Sequence, residues 1–147
     1  MTENIFDVNA FNKWLVEYEE EQKNPKPKRG RKATKNYYFN IITEQAVIAY
    51  NNESNKMKRD VIYTKYIHKA FLKLAENIIH TFKFYNLPGG YSDIQNEVIA
   101  YLIEKIDKYT PDKGRAFSYF SIVAKNWLIL NNNNNYKRYK MHTQLDS

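Results

Sequence analysis

A Thr-Pro-Asp-Lys-Gly break, Thr110 to Gly114, divides the stretch from Tyr91 to Leu130 and does most to restrict the folds open to this chain. Pro111 cannot continue a helix interior, and Gly114 supplies a backbone conformation that other residues resist. Before the break Ile94, Val98, Leu102 and Ile106 recur at helical spacing, with Tyr101 and Tyr109 beside them. After it Phe117, Phe120, Ala124, Trp127 and Leu128 do the same, and Phe117 is expected in the core. Each stripe buries one face of a helix, so the stretch predicts a helical hairpin that needs a further apolar surface. That surface is at hand between about Asp60 and Phe84, where Tyr63, Ile67, Ala70, Phe71, Leu74, Ile78 and Phe82 keep nearly the same period and Lys65, Lys69 and Lys73 line another side. No alternating run or hairpin turn competes with these stripes, so the fold class is all-α: a compact helical domain of three main helices.

The two arms of the hairpin carry opposite charge. Asp93, Glu97, Glu104 and Asp107 load the first, whereas Lys113, Arg115 and Lys125 lie at or beyond the break, among Phe117, Tyr119, Phe120 and Trp127. Such a division suits two partners. A net charge of +7 over 147 residues favours an anionic one, and an aromatic content of 16%, with 13 Tyr, supplies flat faces for unpaired bases and so favours nucleic acid over a lipid surface. With no Cys, disulfides, thiolate nucleophiles and Cys-ligated metal sites are excluded. His68, His80 and His142 are scattered without a ligand pattern, so no metal or other cofactor is expected. No apolar leader or membrane-length run is evident, which gives the expectation of a cytoplasmic protein without a membrane partner.

Along the chain, residues 1–22 are expected to form an acidic amphipathic helix, with Phe11, Trp14, Leu15 and Tyr18 on one stripe and Glu17, Glu19, Glu20 and Glu21 elsewhere. Residues 23–36 read as a flexible basic linker, because Lys23 to Lys35 holds seven Lys or Arg, Pro25, Pro27 and Gly30, and no acid. The first helix is therefore an arm on a tether, and the main domain is 37–143, followed by a tail at 144–147. Within that domain a short helix from Ile42 to about Tyr50 precedes the main three. Leu87-Pro88-Gly89-Gly90 is a turn, and Ser92 with Gln95 matches a capping box, so the next helix is expected to begin near Ser92. The run Asn131 to Asn135 is made of poor helix formers, and the last helix is expected to fray there, ahead of Tyr136-Lys137-Arg138-Tyr139-Lys140.

Several of these segments resemble the second conserved region of bacterial RNA polymerase sigma factors. Asp93-Ile94-Gln95-Asn96-Glu97 is similar to the family's Asp-Leu-x-Gln-Glu motif, and Ile106-Asp107-Lys108-Tyr109 through Gly114 is similar to its hydrophobic-Asp-x-Phe-Asp turn. Phe117-Ser118-Tyr119-Phe120 and Ala124-Lys125-Asn126 fall at the spacing of its Phe-Ser-Thr-Tyr and Ala-Arg-Asn segments, and the register runs without a gap from Asp93 to Ile129. The wording is most similar to the small late-transcription sigma factors of tailed phages, which places the expected compartment in the host cytoplasm. Departures are Asn96 where the family has Gln, and Val123 with Ala124 in place of the paired Trp that wedges DNA open in primary sigma factors. His142 to Ser147 shows no acidic-hydrophobic clamp-binding tail, so a sliding clamp or co-activator is a partner only on the strength of the family.

The resemblance implies a factor, not an enzyme, that binds the bacterial RNA polymerase core through Asp93, Asn96 and Glu97. It implies recognition and opening of A·T-rich promoter DNA by Tyr109, Lys113, Arg115, Phe120, Lys125, Trp127, Lys137 and Arg138, with Tyr109, Phe120 and Trp127 receiving bases drawn from the duplex. Two alternatives from other classes are a sequence-independent single-strand binder and a metal-dependent nucleic-acid enzyme built on Asp93, Glu97 and His80.

Overall fold

Three helices start at side chains that satisfy their first free amides. The Ala10 amide donates to Asp7 Oδ1 at 3.0 Å, the Thr43 amide to Asn40 Oδ1 at 3.2 Å, and the Lys58 amide to Asn55 Oδ1 at 3.2 Å. These begin α1 (Val8–Lys23), α2 (Ile41–Asn52) and α3 (Lys56–Ile62); a π-helical turn, Tyr63–Ile67, then leads into α4 (His68–Phe82). After these come α5 (Gly90–Lys105), two single 3₁₀ turns at Ile106–Lys108 and Pro111–Lys113, and α6 (Ala116–Leu145). This computed structural model describes residues 5–23, 38–82 and 90–145, with side chains throughout except for Phe82 and 132–145. Among the described residues there is no strand, and the protein is all-α as its periodicity predicts. Nor is any helix among them long and apolar enough to cross a membrane.

The chain divides into two units, Met1–Ala70 and Phe71–Ser147, with the boundary inside α4. This differs from the expected domain at 37–143 with a detached arm before it. In the first unit α1 packs against α2 and α3, and Phe11 is fully buried with its ring edge-on to Tyr66 at 5.0 Å. Leu15 is buried too, while Trp14 and Tyr18 are half-buried and stack at 5.1 Å. Burying a Phe or Leu side chain stabilises by about 1.5–3 kcal/mol, so this stripe gains more by packing than by standing free in water. The basic linker lies outside the described residues.

The π turn explains how α3 and α4 keep one buried side. Ile62 and Ile67 are both buried, yet five residues of straight α-helix would set them about 140° apart. A wider turn brings them back to the same face. Tyr63 opens that turn and shares a 3.0 Å hydrogen bond with His68 Nδ1. Burial, and secondarily the nearby Tyr50, push the Tyr63 phenol far above its ordinary range, so it remains protonated at every physiological pH.

In the second unit Phe71, Leu74, Ala75 and Ile79 of α4 are buried, as are Ile94, Val98 and Leu102 of α5 and Phe120, Ala124 and Leu128 of α6. Two local expectations change here. Helix α5 starts at Gly90 (φ +80°), and Gln95 Nε2 donates to the Leu72 carbonyl at 3.0 Å, so it fastens α5 to α4 in place of closing a capping box with Ser92. Helix α6 runs through Asn131–Asn135 to Leu145 without a break. Asn costs a helix only a fraction of a kcal/mol per residue, and extending an existing helix is much easier than nucleating one. The Leu87–Gly89 turn and the final two residues of the tail lie outside the described residues.

If α1 belongs to the first unit's core, Phe11→Ala should destabilise that unit by about 3–5 kcal/mol in urea unfolding. A tethered arm would leave the transition where it was.

Candidate functional site

The buried stripe of α5 leaves a second stripe outward. Asp93, Glu97, Ala100 and Glu104 are all exposed, at successive spacings of four, three and four residues, and Asp107 is exposed on the 3₁₀ turn that follows. That is the repeat with which one helix lays a continuous seam along another. Asn96 is exposed beside Glu97, and Ile103 is 37% exposed beside Glu104, so the seam has both polar and aliphatic shoulders. Neither of the ion pairs among the described residues, Lys23 with Glu20 and Lys73 with Glu76, involves these carboxylates. Asp93, Asn96 and Glu97 therefore lie together on one accessible face.

The break after α5 is tightly organised. Tyr109 is 3% exposed, and its hydroxyl donates to the Gly114 carbonyl at 2.7 Å, closing the loop from inside. Gly114 has φ +104°, a region in which a side chain is strained even though nothing crowds its Cβ position. On the outside Lys113 Nζ donates to the Lys108 carbonyl at 2.7 Å and lies 5.6 Å from the centre of the Tyr119 ring. Asp112 is held below the ordinary carboxylate range, chiefly by the Thr110 hydroxyl and also by its own backbone amide and Lys113, against a small opposing effect of burial. Arg115 is exposed next to Gly114.

The residues expected to meet DNA are thus divided by burial. Lys113 and Arg115 are exposed, and Lys125 and Trp127 are half-buried on α6, with Trp127 against Tyr101 at 6.3 Å. Tyr109 and Phe120 are corrected: both are core residues, Phe120 fully buried and 5.0 Å from Phe71. A base cannot reach either without unpacking the second unit. Phe117, expected in the core, is half-buried. At the place of the wedge pair Val123 is half-buried and Ala124 fully buried, while Ile122 next to them is 59% exposed. Lys137 and Arg138 lie on the helical part of α6 whose side chains are outside the described residues.

Two aromatic and cationic pairs were not expected. Tyr119, half-buried next to Lys113, owes that place to the turn geometry, which no helical spacing signals. Lys105 over the Tyr101 ring at 5.4 Å is an i,i+4 pair, a spacing visible in the sequence. Among the described residues no group of three or more His, Asp or Glu gathers as a metal site would require, and His80 instead stacks on Tyr91 at 5.1 Å. Scans against protein-family models, curated proteins and solved structures found no match for the chain.

Two expected outcomes test this partition. Phe120→Ala should cost about 3–5 kcal/mol of stability, seen as a lower unfolding midpoint, before any effect on nucleic acid is measured. Thr110→Val should raise the Asp112 pKa back toward the ordinary carboxylate range, followed by carboxyl NMR titration. Because the folded value is depressed, the stabilisation is present above the unfolded pKa and lost as pH falls through the folded one, so wild type and variant should converge in acid.

Proposed function

We propose that this chain is a sigma-like transcription initiation factor whose α5 seam docks on the bacterial RNA polymerase core and whose α6 side contacts promoter DNA. One observation carries the proposal: an exposed carboxylate seam at helix-pairing spacing, formed by the same Asp93-to-Glu97 segment that resembles the family's core-binding motif. Carboxylates on a rigid helix discriminate partners by charge, and an arginine-rich helix of a coiled coil is the complementary surface. The Gln95 bond to the Leu72 carbonyl supports the proposal by holding the segment in place from its inner side.

Lys113, Arg115 and Lys125 supply phosphate contacts, and Trp127 and Tyr119 are two partly accessible rings on which a base can stack. With Tyr109 and Phe120 committed to the core, fewer rings recover the cost of unpairing. Each base stacked on a ring returns about 1–3 kcal/mol, so opening depends on DNA that melts easily, such as A·T-rich or negatively supercoiled promoters.

Glu97→Lys should weaken binding to core polymerase about tenfold or more, with unchanged circular dichroism and a smaller effect at high salt. Normal co-elution of that variant with core polymerase would remove the docking surface. Permanganate reactivity of unpaired thymines should be far stronger on supercoiled than on relaxed A·T-rich templates, and Trp127→Ala should reduce it more than it reduces initial binding. Equal opening on both templates would refute the stacking argument.

A further inference from the structure

Helix α6 turns a second stripe away from the core. Phe120, Ala124 and Leu128 are buried, while on the opposite side Ile122 is 59% exposed and Ile129 39%, with Leu130 at the edge of that side 60% exposed. Asn126 lies exposed between the two isoleucines, and its side chain makes no hydrogen bond among the described residues. Aliphatic residues exposed singly need no explanation, but a group of them on one helix face marks an interaction surface.

Charge around the stripe favours a polyanion. From Ala116 to Leu145 the sequence holds three Lys and one Arg and no acid. Arg115 is exposed just ahead of the helix, and Lys125 is half-buried beside Asn126. Asp112, the acid nearest in sequence, is engaged by the Thr110 hydroxyl and its own backbone amide. Asn126 then separates the anionic partners from one another. In a lipid layer its amide is buried unpaired, and a carboxylate of an acidic partner helix meets only its N–H side. An adenine edge in the major groove meets both sides, because N6 donates and N7 accepts, and the thymine methyl in the same groove is an apolar contact. Ile122 and Ile129 are seven residues apart. That is about 10.5 Å along the helix axis, close to three base-pair steps of about 3.4 Å. A helix about 10–12 Å across also matches a groove about 12 Å wide.

We propose that the outward face of α6 reads A·T pairs of closed duplex DNA from the major groove, with Asn126 paired to an adenine and Ile122 and Ile129 against thymine methyls, a readout that rests on the reading above only in placing DNA at α6. Sequence selection then belongs to residues other than the stacking rings and the phosphate contacts. It acts on fully paired DNA, so it is separable from opening.

The probe is the duplex enriched from a pool of short, relaxed duplexes with a randomised centre, selected by the full chain alone and mixed with bacterial core polymerase. Enriched duplexes should share A·T pairs at neighbouring positions. An adenine analogue with carbon in place of N7, put at the position that Asn126 reads, should weaken wild-type binding about tenfold and leave Asn126→Ala unaffected. Uracil in place of thymine, which removes the methyl, should weaken the wild type several-fold and leave the double variant Ile122→Ala with Ile129→Ala unaffected. Asn126→Arg should move the preference at its position from A·T to G·C, a gain that an unfolded variant cannot show. Enriched duplexes without a base preference, or analogues that weaken wild type and variants equally, overturn this inference and leave the wider reading standing. Failure to bind any duplex in either mixture overturns both. Loss of co-elution with core polymerase in Ile122→Asp, with duplex binding intact, would assign the face to a protein helix instead.

Discussion

The second unit depends on the way Tyr109 is buried. Its ring packs 5.7 Å from Phe120 and 5.4 Å from Tyr119, while its hydroxyl reaches the Gly114 carbonyl. One side chain therefore joins the end of α5, the break and the first turns of α6. A buried phenol needs a partner for its hydroxyl, and a carbonyl of the loop supplies it. Gly114 is where that carbonyl can be presented, because its backbone takes a conformation that a Cβ would strain. With the break held in this way, Lys113 and Arg115 project outward from the end of α5.

Two chemistries then share a single small unit. The carboxylates of α5 occupy the side away from its buried stripe, while Lys113 and Arg115 lie at the break and Lys125 beyond it. Their separation is helical geometry acting on sequence spacing: residues three and four apart share a face, so an apolar stripe at 94, 98 and 102 leaves 93, 97, 100 and 104 outward. Aromatic residues divide differently, by depth. Phe120 and Tyr109 give their area to the core, and Trp127 and Tyr119 keep part of theirs at the surface. An aromatic ring removed from water in the core stabilises the fold but cannot also offer its face to a base, so the unit contains fewer stacking surfaces than its composition suggests.

In the first unit the corresponding device is the π turn. It corrects a five-residue spacing between Ile62 and Ile67 that would otherwise turn one of them to water, and it places Tyr63 within reach of His68. The cation of Arg59 lies 4.4 Å from the centre of the Tyr50 ring, which puts a charge over the join between α2 and α3, with no ion pair to Arg59 among the described residues.

Much of this was legible in the chain because it follows from local physics. The all-α class came from stripes at Ile94, Val98 and Leu102 and at Phe71, Leu74 and Ile78, whose period has no other low-energy use. The outward placing of Asp93, Asn96 and Glu97 came with it, because a stripe that faces inward defines the opposite face as well. Choices between alternatives of similar local energy were not legible. Gln95 has a capping role by spacing and a Leu72 carbonyl by packing, and the packed partner wins because only the folded unit brings it within 3.0 Å. Phe117 and Phe120 are equally apolar and three residues apart, and Phe120 is the one buried because Phe71 and Tyr109 close around it. The helix of Phe11 was visible, but its burial against α2 and α3 was not, since amphipathic spacing predicts that a face will be covered and is silent about what covers it.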